Sequence, residues 1–157
     1  MLTTAHIEKF SRMEAALARL HPEEDRELWI WTAMNGLTHL LNAAMHEAGL
    51  TKAADSFHSQ VEGLYGVPDR KTGRVTDAML RPGEGDVMHL GRPPVPGQLP
   101  AAIQRAGAAL KVIEDLRVPF VRGDEPVPIG AVECWRTAYA ECVSELSLIL
   151  GPKRPSR

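Results

Sequence analysis

Cysteine is nearly absent from this chain, and the two present, Cys134 and Cys142, exclude more than they offer. Eight residues apart on one expected helix, they are separated by about 12 Å of rise, too far for a disulfide. No Cys-x-x-Cys pair suggests redox or zinc chemistry. Reduced thiols packed as small hydrophobes are expected, in keeping with a cytoplasmic home. Charge of one sign is also lacking. A net charge of -2 and a pI near 6.3 give no field that would gather nucleic acid or an anionic membrane. The one basic run, Lys153, Arg154 and Arg157, reads as a frayed tail over 152–157. The opening MLTTAHIEKF has no apolar core of a secretory signal. There is no internal repeat. No serine or cysteine sits in a recognisable nucleophile motif, and the glycines of Arg81-Pro-Gly-Glu-Gly-Asp86 read as turn residues.

One further absence is the most informative. From Leu28 to His46 there is no Asp, Glu, Lys or Arg, in a chain that is 24% charged. The stretch is long enough to span a bilayer, but Thr32, Asn35, Gly36, Thr38, His39 and Asn42 within it make spanning costly. Asn35, His39, Asn42 and His46 recur at steps of 4, 3 and 4 and so share one side of a helix. Leu37, Leu41, Ala44 and Ala48 mark a second face, about 160° away. A helix uncharged on both faces is expected at the centre of its fold or between subunits.

The remaining periodicity is helical. Ile7, Phe10, Met13, Leu17 and Leu20 predict a first helix from Thr4 to Leu20, capped by Thr3 or Thr4. Pro22 and the acidic Glu23, Glu24 and Asp25 predict the start of a second, ending at Gly49. Ala54, Phe57, Val61 and Leu64 suggest a shorter helix over Lys52–Leu64. Ile103, Ala106, Leu110, Ile113 and Leu116 predict one from Pro100 to Val118, stopped by Pro119. Val132, Trp135, Tyr139, Cys142, Leu146 and Ile149 predict the last, from Val127 to Leu150. Residues 66–99 are rich in Pro and Gly. They form an irregular insertion in which Val75–Leu80 and Val87–Leu90 give a weak hairpin signal. The expected fold is all-α: an antiparallel four- or five-helix bundle in one domain, residues 1–151.

The Asn/His ladder admits two readings. As a site, its imidazoles offer metal ligation or acid–base work. As a polar seam, Asn35, His39, Asn42 and His46 are hydrogen-bonded across a helix or subunit contact. His39 and His46 lie about 10 Å apart along the axis, so a group from another helix would pair with only one of them. In the site reading His39 and His46 are the candidate catalytic residues. His39, His46 and His58 are the weak candidates for a metal. His89 and Arg92 join the ladder as ligand or interface candidates, because Pro93-x-x-Pro96 beside Arg92 suits a polyproline II contact or a stiff connector.

Histidines scattered over a four-helix bundle would resemble the DinB-like metal-binding bundles, which implies a histidine-held metal ion. No Glu-x-x-His motif of di-iron bundles is present. The helical layout is also similar to HEPN-type ribonuclease domains, which dimerise and place an Arg and a His a few residues apart at the dimer cleft. Here no Arg precedes a His by four to six residues. Asn35-x-x-x-His39 and Asn42-x-x-x-His46 are loose polar substitutes, so the likeness is one of architecture. The leading expectation is a non-enzymatic, homo-oligomeric module that binds a small ligand or a protein partner. The alternative is an enzyme of metal-dependent DinB-like or HEPN-like type built on the ladder. No cofactor is expected beyond a metal ion in that alternative.

Overall fold

The computed structural model describes residues 1–54, 57–58, 63–69, 71–81, 83–84, 86, 98–123 and 125–151. It is mainly helical. In chain order the elements are α1 (Thr3–Leu17), α2 (Arg26–Glu47), β1 (Phe57–His58), β2 (Leu64–Pro68), β3 (Val75–Met79), α3 (Ala101–Asp115), a single π-helical turn (Val118–Arg122) and α4 (Ala131–Leu150). No helix among the described residues is long and apolar enough to cross a membrane.

The uncharged stretch becomes the centre of the molecule. α1, α3 and α4 all pack on α2, and α3 packs on α4. Ile30, Ala33, Met34, Leu37, Leu40, Leu41, Ala43, Ala44 and Met45 of α2 are all buried. They span a little over half of the helix circumference, wider than a single stripe, and the other side carries the uncharged Asn35, Thr38, His39 and His46, each partly buried. Around them gather Phe10 and Leu17 of α1, Ile103, Leu110 and Ile113 of α3, and Trp135, Cys142 and Leu146 of α4. Towards the start of α2, Trp29, Trp135 and Phe120 form an aromatic cluster, with ring centroids 6.2 and 5.2 Å from Trp135.

α1 and α2 run antiparallel and close together. A Cβ on Gly36 would lie 3.3 Å from Met13 Cβ and 3.8 Å from Phe10, so the glycine sets how near the two backbones come. The antiparallel crossing brings the start of α1 against the end of α2.

Several expectations need correction. α1 begins at Thr3 after Leu2, and neither Thr3 nor Thr4 caps it by a side-chain hydrogen bond. Pro22 does not open α2. Residues 22–25 form a separate turn, in which Asp25 N–H donates to the His21 carbonyl and Asp25 Oδ2 accepts from His21 N–H. The local bond to Asp25 competes with helix extension. Among the described residues of Lys52–Leu64 there is no helix: Phe57–His58 form β1 and Leu64 opens β2, the two strands antiparallel with Phe57 opposite Gly66. β2 in turn pairs with β3, Leu64 opposite Met79 and Pro68 opposite Val75. The strand expected at Val75 is therefore real, but its partner precedes it; Val87–Leu90 lie outside the described residues. The apolar 54–64 spacing fits either period over so short a run. Pro119 does not end the chain's helical path, because it sits in the π turn that follows α3. The last helix starts at Ala131 rather than Val127.

Candidate functional site

The antiparallel crossing stacks three imidazoles. His6, in the second turn of α1, lies between His39 and His46 of α2, with ring centroids 5.1 and 5.4 Å away. His39 and His46 are two turns apart on one face of α2, and the ring from α1 enters the gap between them. His6 Nδ1 and His39 Nδ1 are 2.9 Å apart. One of the two must carry the proton and the other must accept it.

A fourth group arrives from a loop whose path can be followed bond by bond. Gly49, at φ 70°, ends α2 in the left-handed conformation that glycine tolerates. The chain then folds back, with Leu50 N–H donating to the Met45 carbonyl. This places Thr51 on His46. The Thr51 hydroxyl is 2.7 Å and its carbonyl oxygen 3.3 Å from His46 Nδ1. Lys52 N–H next donates to the Gly83 carbonyl, tying this segment to the loop after β3. Lys52 Nζ pairs with Glu84 at 3.1 Å, and Glu84 accepts from Arg81 N–H. Two residues on, Asp86 reaches the histidines.

Asp86 Oδ1 is 2.9 Å from His46 Nε2 and 3.1 Å from His6 Nε2. Oδ2 is 3.2 Å from the Met1 amino group. The His6 and His46 side chains are each 1% exposed and that of Asp86 8%. The His46 and Met1 contacts have hydrogen-bond geometry. Asp86 Oδ1, 3.1 Å from His6 Nε2, pulls on it electrostatically, but the contact does not meet hydrogen-bond geometry, and among the described residues this buried nitrogen has no other partner. Among the described residues, His6, His46 and Asp86 form one group whose donor atoms lie within 4.8 Å of one another.

The electrostatics follow from burial. Burial alone would raise the pKa of Asp86. The hydrogen bond from His46 and the close approach of His6 overcome it and hold the carboxyl well below the usual carboxylate range. Burial lowers the pKa of His6, against the pull of Asp86. Burial, helped by the charges at His6, Lys9 and Arg12, pushes His39 down to about 4. At neutral pH the cluster is thus an ionised carboxylate facing neutral imidazoles His6 and His39.

The ladder expected on α2 is divided by the structure. His39 and His46 join the cluster. Asn42 is buried and donates from Nδ2 to the Thr38 carbonyl, while Asn35 donates to the Trp31 carbonyl. Each amide thus makes one of its bonds within α2 itself. His58 lies on β1, and His89 and Arg92 lie outside the described residues. The apolar face of α2 is covered by α1, α3 and α4 of the same chain, while Trp31 and Asn35 on the other side stay partly open to solvent. Two members of the site are missing from the sequence-based candidates. His6 had a signal: it precedes Phe10, Met13 and Leu17 at steps of 4, 3 and 4, so it is a histidine within the core stripe of α1. Asp86 had none, being the last residue of a Gly-rich turn.

No protein-family model, curated protein or solved structure matches this chain. The geometry of the cluster therefore carries the functional reading alone.

Proposed function

We propose that this protein is a helical-bundle metal-binding protein that holds one divalent transition-metal ion through His6 Nε2, His46 Nε2 and the Asp86 carboxylate. The observation that carries this is the unpartnered His6 Nε2, buried 3.1 Å from a carboxylate oxygen. With a proton on Nε2, a buried donor has no aligned acceptor. Without one, two lone pairs face each other. Either arrangement leaves a buried polar atom unsatisfied, which costs about 1–3 kcal/mol. A cation between the three donors removes the conflict by accepting a lone pair from each.

The donor set suits the borderline ions. Two imidazoles and one carboxylate bind Zn²⁺, Co²⁺, Ni²⁺ or Fe²⁺ and leave coordination positions open for water or substrate. Oxygen-rich Ca²⁺ and Mg²⁺ sites use few or no nitrogens. Bonds of about 2.0–2.1 Å at tetrahedral angles put donors about 3.4 Å apart. The N···O separations of 2.9 and 3.1 Å need to widen by only a few tenths. His46 can supply its Nε2 lone pair because the Thr51 carbonyl accepts from Nδ1–H, and the Thr51 hydroxyl serves either tautomer.

The competing reading is a purely structural seam, favoured by the aligned 2.9 Å contact between His46 Nε2 and Asp86. The two readings separate in a titration of metal-free protein with Co²⁺. The metal reading expects visible d–d absorption that saturates at one ion per chain. It also expects that His46→Ala and Asp86→Asn each abolish the absorption. At 100 times the dissociation constant, the ion should add about 2.7 kcal/mol of stability. A chain that takes up no Co²⁺ at micromolar concentration, with no change in melting temperature, leaves only the seam.

A further inference from the structure

His39 stands beside the three donors without belonging to them. Resting on the metal reading above, we infer that His39 is a positioning residue: its Nδ1 accepts a hydrogen bond from His6 Nδ1–H and so aims the bare Nε2 of His6 at the ion.

The inference follows from counting donors and acceptors. An imidazole that ligates through Nε2 must carry its proton on Nδ1, and that proton needs an acceptor if the ring is to hold its tautomer and orientation. For His46 the acceptor is the Thr51 carbonyl, which can only accept. For His6 the group placed at Nδ1 is His39 Nδ1, 2.9 Å away. Among the described residues, no backbone carbonyl or carboxylate hydrogen-bonds that nitrogen. The ring pair is tilted at 48° with centroids 5.1 Å apart, so the contact is made edge to edge through the nitrogens rather than by stacking.

The position of His39 is fixed independently of the ion. It lies two turns before His46 on α2, while His6 is held on α1 by the close crossing at Gly36. An acceptor aligned in advance spares the ligand ring from rotating when the ion binds. Groups in this role typically change metal affinity by 10- to 100-fold.

The test compares Co²⁺ binding by wild type, His39→Phe and His39→Asn, followed by visible absorption. Phenylalanine fills much the same space but accepts nothing. The Oδ1 of asparagine falls near the place of His39 Nδ1 and restores an acceptor. The expected result is a 10- to 100-fold loss of affinity for His39→Phe and recovery to within a few fold for His39→Asn. A folded His39→Phe that binds Co²⁺ as tightly as wild type overturns the inference. So do two variants weakened equally, because lost packing alone would produce that pattern. Wild type that binds no Co²⁺ overturns the metal reading itself, and the inference falls with it.

A second measurement needs no variant. In Zn²⁺-loaded wild type, long-range proton–nitrogen correlation spectra assign each imidazole nitrogen. His6 should show a protonated Nδ1 and a metal-bound Nε2. Ligation of His6 through Nδ1, with the proton on Nε2, overturns the inference whatever the variants do.

Discussion

Acidification will destabilise this protein in a window set by its clustered histidines rather than by carboxylates. The pKa of His39 is pushed down to about 4 in the fold from an ordinary 6.5. Below pH 6.5 the unfolded chain therefore takes up a proton that the folded chain refuses. Stability is unaffected above 6.5, falls as the pH drops from 6.5 towards 4, and levels off below. At pH 5 this linkage amounts to at most about 2 kcal/mol, rising to at most about 3 kcal/mol below pH 4, because solvent screens a half-buried ring. His6, whose pKa is also lowered, adds in the same direction. Asp86 behaves oppositely. Its carboxyl is held below the ordinary 3.8, so the stability it contributes is present above that pH and is lost only below it. It has no part in a change between pH 7.5 and 5. For a chain of this size, 2 kcal/mol corresponds to a fall of about 4–8 °C in melting temperature. The assay is thermal unfolding by circular dichroism in EDTA at the two pH values, with His39→Asn beside wild type. Wild type should lose up to about 4–8 °C, and the variant distinctly less. An unchanged wild-type melting temperature, or an equal fall in His39→Asn, would refute the assignment of His39 as a half-buried neutral imidazole.

Other outcomes follow from the packing. Leu37 is fully buried at the centre of α2, so Leu37→Ala should cost about 2–5 kcal/mol in urea unfolding. At the α1–α2 crossing, Gly36→Ala meets a contact of 3.3 Å but gains about 1 kcal/mol of helix propensity. Its stability should lie within about 1 kcal/mol of wild type, whereas Gly36→Val should lose about 1–3 kcal/mol through overpacking. Of the two thiols, Cys134 is exposed and Cys142 buried. A thiol reagent should label one cysteine per native chain and two in denaturant, read by mass.

The helical frame was legible because its stripes are long. The 3- and 4-residue steps through Phe10, Leu17, Leu110 and Leu146 mark buried residues, and their stripe neighbours Ile7, Leu20, Val132, Tyr139 and Ile149 are partly buried against the same core. The central place of α2 was legible from missing charge alone. What failed was short or governed by contacts distant in sequence. The 54–64 segment has too few apolar positions to separate a helical from an extended period, and pairing with β2 decides the conformation of Phe57 and His58. The site was half legible. His39 and His46 share a face by spacing, but that they meet His6 depends on how α1 crosses α2. Asp86 depends on a loop threaded by bonds from Lys52 and Arg81, and no local pattern announces such a path.

The three donor residues fall at positions 6, 46 and 86, so each step between them is 40 residues (46 − 6 and 86 − 46). Drawing them together closes two loops of that length in succession. Closing a loop of this size is set chiefly by chain entropy, about (3/2)RT ln n plus a constant. That entropy is recovered only when α1, α2 and the segment after β3 have all met. In the unfolded chain the same three groups are three weak, separate ligands, and no partly folded form with one helix missing offers all of them. An ion bound here would therefore report on the completed chain topology, and its release rate would follow the opening of the least stable of those three segments rather than the strength of any one bond.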